Sequence, residues 1–160
     1  MSGLESLYQE LILEHSKRPH GKGIADDEGP TSPLRSATSH QRNPICGDEI
    51  TVRVRVEGDT VRDVTWEGAG CSISQASASM LAELVRLDPD GVPRTERMPR
   101  AEATALIDGF RTALRSRGTI PIDEETYGDA EALSGVSKYT ARVKCAMLAW
   151  VAFEDALSRA

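Results

Sequence analysis

Cysteine is scarce in this 160-residue sequence, which contains only three, at positions 46, 71 and 145. Three cysteines cannot all pair, and a chain of this length buries roughly 68–70% of its surface on folding and does not need disulfides. The sequence also lacks an apolar run of about 18 residues and a signal-like N-terminus, so no membrane segment is expected. We therefore expect one cytoplasmic domain spanning 1–160, in which the cysteines serve metal binding or chemistry.

Positive charge is also limited, with 19 Lys and Arg against 25 Asp and Glu and a net charge of -6. A nucleic-acid surface needs clustered positive charge, so no nucleic-acid partner is expected. The sequence has no Walker loop, no G-x-S-x-G elbow and no zinc-deaminase signature. No two cysteines show the C-x2-C spacing of ordinary zinc fingers.

Hydrophobic periodicity predicts the first part of the fold. Residues 2–16 have helical spacing, whereas residues 21–45 are poor in large apolar residues and are predicted to be loop-like with at most one short strand. The stretches "EITVRVRVE" and "TVRDVTWEG" are predicted to form a hairpin, because the first alternates with period two and Gly58-Asp59 is a turn signal between them.

The second part of the chain is predicted to be mainly helical. A helix follows "GAGC", and another carries Leu106, Phe110, Ala113 and Leu114 on one face. Residues 116–139 are predicted to be loop plus a short helical turn, and 140–157 to be an apolar helix that is central or covered by a partner. This order predicts an α+β fold: a small antiparallel sheet of about three strands with helices packed on one face.

One cysteine lies beside a carboxylate in "NPICGDEI". Gly47 separates Cys46 from Asp48, and it lets the backbone bend so that both side chains can point to one spot. Cys71 opens a helix, where the helix dipole favours a thiolate. Cys145 lies in the first two turns of the last helix. Three thiolates and one carboxylate make a complete tetrahedral zinc set, although by spacing alone each cysteine is equally explained as a small buried apolar side chain.

Charged residues and one histidine are further candidates for the same site. Arg142 and Lys144 precede Cys145 and would offset part of the net charge of -2 left by four anionic ligands around zinc. His40 lies in a polar stretch from which it could reach the site. His15 and His20 are predicted to be solvated.

Three blocks of the sequence resemble those of the IscU/NifU-N-like iron–sulfur assembly proteins: "NPICGDEI", "EGAGCSISQASASM" and "GVSKYTARVKCAMLAW". The resemblance spans nearly the whole chain and is greatest to the SufU branch. IscU-type scaffolds have a histidine immediately before the third cysteine, where this chain has Lys144. The branch also has an extra segment of around twenty residues between the second and third cysteines, here within 118–139.

The resemblance implies a function and a ligand set. SufU-type proteins bind Zn2+ through the positions that match Cys46, Asp48, Cys71 and Cys145. They accept persulfide sulfur on the position that matches Cys46, from a pyridoxal-phosphate cysteine desulfurase of the SufS type, and stimulate that enzyme. The implied role is a zinc-dependent sulfurtransferase relay to other SUF assembly proteins, with the desulfurase expected to dock around the metal site and on the polar segment 118–139, unless that segment is simply a solvated loop.

Two alternatives stay open beside the relay. The same ligands could assemble a transient [2Fe–2S] cluster, because thiolates suit both metals. The domain could also be a structural zinc fold without transfer chemistry. Lys144 favours the relay over the scaffold, and Asp48 argues against a purely structural site, which usually has only Cys and His ligands.

Overall fold

The computed structural model describes residues 3–24, 33–44, 47–88 and 91–160. In chain order the elements are α1 (Gly3–Lys17), β1 (Arg35–Asn43), β2 (Asp48–Glu57), β3 (Thr60–Ala69), α2 (Ser72–Arg86), β4 (Met98–Pro99), α3 (Arg100–Arg115), α4 (Glu124–Tyr127), a 3₁₀ helix (Gly128–Lys138) and α5 (Thr140–Arg159). Among the described residues, no helix is both long enough and apolar enough to cross a membrane.

The four strands form one antiparallel sheet in the order β1-β2-β3-β4. The predicted hairpin is confirmed: β2 and β3 pair along their length around a turn in which Gly58 has a φ of 58°. The period-two pattern of β2 buries Ile50, Val52, Val54 and Val56 on one face. Helix α5 packs on β1 and β2 and helix α2 packs on β3, so the predicted α+β architecture is confirmed.

Strand β1 lies within residues 21–45, which the sequence predicted to be mainly loop, so that prediction is corrected here. Its nine residues, "RSATSHQRN", have no large apolar side chain, yet Arg35 to Asn43 pair in continuous register with Val56 to Asp48. A polar strand has little tendency to form alone, but its backbone groups gain hydrogen-bond partners from β2, and α5 packs on it. Ser39 in the middle of β1 donates to Asp155 of α5 at 2.7 Å.

Helix α5 lies in the middle of the molecule, as its apolar composition predicted. It contacts β1, β2, α2, α3 and the 3₁₀ helix, and Trp150 and Phe153 on it are fully buried. Trp150 stacks on Phe110 of α3 with ring centroids 4.0 Å apart. The Trp150 indole also donates to Ser77 of α2, and Ser77 in turn donates to the carbonyl of Ala146 at 2.6 Å. These bonds fix α2 against α5.

The second half of residues 116–139, predicted to be mainly loop, forms a buried 3₁₀ helix instead. Residues 117–126 are almost all exposed, but the 3₁₀ helix that follows α4 is part of the core. Leu133 is fully buried, and Tyr127 donates from its hydroxyl to the carbonyl of Leu106 at 2.9 Å. Small residues at helical spacing, "GDAEALSGVSK", carry too weak an apolar pattern to predict this burial.

Candidate metal centre

Three of the four predicted ligands meet at one cleft. One ligand atom each from Asp48, Cys71 and Cys145 lies within 4.8 Å of the other two. The cleft has a volume of about 610 Å³ and opens to solvent between the start of β2, the end of β3 and the first turns of α2 and α5. The three residues therefore come from three elements that are far apart in the sequence.

Asp48 is the buried carboxylate of the site, with 3% of its surface exposed. It is the first residue of β2 and pairs with Asn43, the last residue of β1. Its Oδ1 atom accepts a hydrogen bond from the backbone N–H of Cys71 at 3.1 Å. This bond holds the carboxylate against the N-terminus of α2, where unpaired N–H groups and the helix dipole favour a negative charge.

Cys71 is the exposed thiol of the site. It is the N-cap residue of α2 and has extended backbone angles, as expected for a residue that comes just before the first helical turn. Its Sγ atom lies 3.6 Å from Oδ2 of Asp48 and 3.9 Å from the hydroxyl of Ser74. The sequence prediction that Cys71 opens a helix is therefore confirmed.

Cys145 is the buried thiol, with 4% of its surface exposed. It lies in the second turn of α5, and its Sγ atom is 3.8 Å from the carbonyl oxygen of Ala141 one turn earlier. Ala141 and Arg142 line the same cleft, so the first turn of α5 forms one wall of it. Cys145 is fixed by a helix that is itself fixed in the core.

Gly70 leaves space that Asp48 needs. A Cβ atom at this position would lie 2.5 Å from Oδ1 of Asp48 and 2.7 Å from the hydroxyl of Ser74. Real Cβ atoms do not approach oxygen so closely. Glycine between β3 and Cys71 is therefore required for the carboxylate to occupy its observed position.

The remaining predicted residues divide into three cases. Cys46 lies outside the described residues; it is bonded to Gly47, which lines the cleft with a φ of 75°. Arg142 lines the cleft, with its guanidinium 5.3 Å from the ring centre of Tyr139, whereas Lys144 is exposed and not part of the lining. The Nδ1 atom of His40 lies 2.8 Å from the hydroxyl of Thr51, and Thr51 faces away from the buried side of β2.

The prediction of solvated histidines is wrong for His15, whereas His20 is exposed as predicted. His15 is buried, with its Nδ1 atom 2.7 Å from the hydroxyl of Ser79 and its Nε2 atom 2.8 Å from Asp129. His20 pairs with Glu83 at 2.9 Å. A signal was present for His15, because it continues the i, i+3, i+4, i+7 series of Tyr8, Leu11 and Ile12.

The donor chemistry of the cleft fits a divalent metal. Thiolate sulfur and carboxylate oxygen are both zinc ligands. A buried carboxylate is costly unless a positive charge lies beside it, and a bound metal ion would supply that charge. Arg142 on the cleft wall supplies part of the positive charge that a mainly anionic ligand set requires. Iron is also compatible with thiolate ligands.

Comparison with known proteins places the chain in a family. Residues 7–146 match the family described as NifU-like N terminal domain. The chain is 35% identical over 158 residues to the zinc-dependent sulfurtransferase SufU of Bacillus subtilis (strain 168), covering 99% of this chain and 94% of that protein. It is also 35% identical over 159 residues to the iron–sulfur cluster assembly scaffold protein IscU of Streptococcus pyogenes serotype M1, covering 99% of this chain and 87% of the relative.

A solved structure supports the same assignment. The crystal structure of a candidate iron–sulfur cluster assembly scaffold protein for the SUF system from Fervidobacterium islandicum AW-1 has a TM-score of 0.70 and 29% sequence identity. The match covers 96% of this chain and 98% of that one. The resemblance of the three cysteine blocks is thereby confirmed, and the chain belongs to the NifU-like N-terminal domain family of SufU- and IscU-like iron–sulfur cluster assembly proteins.

Proposed function

We propose that this protein is a zinc-dependent sulfur relay in iron–sulfur cluster assembly, which accepts sulfur from a SufS-type cysteine desulfurase on Cys46. The observation that carries the proposal is the convergence of a buried carboxylate and two thiols on an open cleft. Cys46 would complete the ligand set of Asp48, Cys71 and Cys145. The mixed thiolate and carboxylate donors and the similarity to a zinc-dependent sulfurtransferase both favour this reading.

The reaction at Cys46 is a thiol–persulfide exchange. The Cys46 thiolate attacks the outer sulfur of the persulfide on the desulfurase, a new sulfur–sulfur bond forms at Cys46, and the desulfurase cysteine leaves as a thiolate with the electron pair of the broken bond. Bound zinc keeps cysteine ligands deprotonated near neutral pH. The two other cysteines are held by helices, whereas Cys46 precedes Gly47, whose positive φ is available to few other residues.

Asp48 and Arg142 set the charge around the thiolates. The Cys71 amide fixes the Asp48 carboxylate at the floor of the cleft, so it can act as a ligand without rearrangement. Carboxylate is a harder ligand than thiolate, which makes the site more labile than one of sulfur alone. The Arg142 guanidinium on the cleft wall attracts an incoming anionic persulfide and offsets the ligand charge.

The desulfurase is proposed to dock around the cleft and on a groove that continues from it. This groove, about 360 Å³ in volume, lies between α1 and the 3₁₀ helix and shares Ile73 and Arg142 with the cleft. Tyr139 at its edge is 57% exposed, although it directly precedes α5. The mostly exposed residues 117–126 remain candidates for the same contact, and Gly135 and Lys138 are the exposed residues through which the 3₁₀ helix lines the groove.

Mass spectrometry tests the relay. Protein incubated with the desulfurase and cysteine should gain one sulfur atom on the peptide that contains Cys46, and Cys46→Ser should gain none. Sulfur on Cys71 or Cys145 in the wild-type protein would contradict the assignment. For docking, Tyr139→Ala should weaken binding to the desulfurase, whereas Val92→Ala, a control at an equally exposed apolar residue outside the groove, should not.

A transient [2Fe–2S] scaffold is the second candidate function. It is favoured by the similarity to IscU of Streptococcus pyogenes and by the three cysteines, which are the ligands that iron–sulfur clusters prefer. Lys144 opposes it, since it stands where IscU-type scaffolds have a histidine. Metal analysis of protein purified without added metal separates the two: zinc in a colourless protein supports the relay, and iron with sulfide supports the scaffold.

A further inference from the structure

A second cluster of metal-ligating side chains lies at the opposite end of α2 from the cysteine cleft. One ligand atom each from His15, His20 and Glu83 lies within 4.8 Å of the other two. Glu83 is twelve residues after Cys71, which corresponds to about 18 Å along the helix at 1.5 Å per residue. The two clusters are therefore separate, and neither the relay nor the scaffold function uses the second one.

The cluster is held by three segments of the chain. His15 comes from the end of α1, His20 from the turn after it, and Glu83 from the last turn of α2. Asp129, the second residue of the 3₁₀ helix, lies 2.8 Å from Nε2 of His15 and shares a hydrogen bond with Glu83. All four side chains line a cleft of about 280 Å³.

Surrounding bonds fix the imidazole of His15 and the backbone of His20. The Nδ1 atom of His15 lies 2.7 Å from Ser79 Oγ, which leaves Nε2 to face the cluster. The backbone N–H of His20 donates to the same hydroxyl at 2.8 Å, and the His20 carbonyl accepts from the indole of Trp66 at 2.8 Å. A hydrogen bond on the second ring nitrogen sets the tautomer and orientation of a metal-bound histidine.

Charge balance also favours a divalent cation. The two carboxylates of Glu83 and Asp129 are adjacent, and the side chain of Glu83 is only 20% exposed. The hydrogen bond between these two carboxyl groups requires a proton on one of them, and a divalent ion would displace this proton and pair with both negative charges. Imidazole nitrogen with carboxylate oxygen is a donor set that suits zinc and its first-row neighbours.

We propose that His15, His20 and Glu83 form a second divalent-metal site, for zinc, with Asp129 as the adjacent fourth donor. In a tetrahedral zinc site with bonds of about 2.0–2.1 Å, ligand atoms lie roughly 3.3 Å apart. The ligand atoms of His15, His20 and Glu83, which lie within 4.8 Å of one another, would move closer on binding, and Asp129 would turn toward the ion from beside His15. A bound ion would link α1 and α2 to the 3₁₀ helix, and this helix leads directly into α5, which carries Cys145.

The test counts metal ions in tag-free protein dialysed against Zn2+, and then against Co2+. His20→Ala and Glu83→Gln change partly exposed side chains and should fold, and each should bind one metal ion per chain fewer than the wild-type protein. The thiolate-to-cobalt charge-transfer absorption, which reports only the cysteine cleft, should be unchanged in both. His40→Ala, which removes an exposed histidine outside the cluster, should bind as much metal as the wild type.

The comparison does not depend on how many ions the cysteines hold, because it measures a difference between variants. Equal metal content in the wild type, His20→Ala and Glu83→Gln would overturn the second site. A loss of charge-transfer absorption together with the lost ion would also overturn it, since the ion would then belong to the cysteine cleft. Loss of one ion with that absorption retained supports it.

Discussion

The backbone N–H of Cys71 donates to Oδ1 of Asp48 at 3.1 Å, and the Sγ atom of Cys71 lies 3.6 Å from Oδ2 of the same carboxylate. One aspartate therefore contacts both the amide that begins α2 and the thiol of the same residue. The bond joins the start of β2 to the start of α2, which are 23 residues apart. Asp48 thus has a structural role and a chemical role that can be separated by mutation.

Asp48→Asn and Asp48→Ala separate these roles. Asparagine keeps an oxygen that can accept from the Cys71 amide but loses the charge, whereas alanine loses both. We expect both variants to lose sulfur acceptance from the desulfurase. Asp48→Ala alone should also lose about 1 kcal/mol in the free energy of unfolding, because it removes the hydrogen bond from the Cys71 N–H that joins β2 to the start of α2. Desulfurase turnover assays and urea unfolding measure the two effects. Normal stimulation of the desulfurase by Asp48→Asn would contradict the role of the carboxylate.

Gly70→Ala should displace the Asp48 carboxylate, because the new Cβ would lie 2.5 Å from Oδ1. Changes that misplace a metal ligand typically cost 10–100-fold in affinity, so we expect a loss of at least about tenfold in zinc affinity. Competition with a chromophoric chelator measures it. Gly135→Ala is the matched control, since a Cβ there would meet nothing within 4 Å. Equal affinities in the two variants would show that Asp48 does not depend on Gly70.

Cys71→Ser and Cys145→Ser should each lower the zinc content of the purified protein, because each removes one of the thiolates in the cleft. Cys145 is buried on a core helix and Cys71 is exposed, but both contribute a ligand atom to the same group. Metal analysis beside a thermal unfolding curve is the measurement. Full zinc and full stability in both variants would rule out the ligand set.

Leu133→Ala tests the core role of the 3₁₀ helix. Leu133 is fully buried, and removing a buried leucine side chain costs about 2–5 kcal/mol. Glu125→Ala, at an exposed position in α4, should change stability by about 0.5 kcal/mol or less. Urea unfolding of the two variants gives the comparison. Similar stabilities would mean that the segment is a dispensable loop, as the sequence pattern suggested.

Stability should fall at alkaline pH because of two tyrosines. Burial raises the pKa of Tyr127 to about 12, and burial together with the hydrogen bond to Glu131 raises the pKa of Tyr8 to about 12. The folded protein keeps both protons while the unfolded chain loses them near pH 10, so the stabilisation is complete below about pH 10 and is lost as pH rises toward 12. Urea unfolding across this range, with Tyr127→Phe for comparison, should show a shallower decline in the variant. A flat profile in the wild type would contradict the shifts.

The sequence by itself determined the elements whose pattern is local. Alternating Ile50, Val52 and Val54 predict a strand with one buried face, Gly58 permits the turn that follows, and the apolar stretch around Trp150 predicts a helix that is central or covered by a partner. The order of the cysteine blocks also identified the family. For the strand, the turn and the helix, the signal lies within about twenty consecutive residues and depends on the backbone of a single element. The family signal is instead the identity and order of three blocks along the chain.

Only the tertiary structure decided which distant segments meet. Strand β1 is polar and forms because β2 supplies hydrogen-bond partners for its backbone and α5 packs on it. The 3₁₀ helix is buried because α1, α2, α3 and α5 surround it. Asp48 reaches Cys71 and Cys145 because β2, α2 and α5 end or begin at one cleft, and His15 reaches Asp129 because α1 packs against the 3₁₀ helix. Periodicity shows that a face is buried, but the partner that covers it is set by packing of the whole chain.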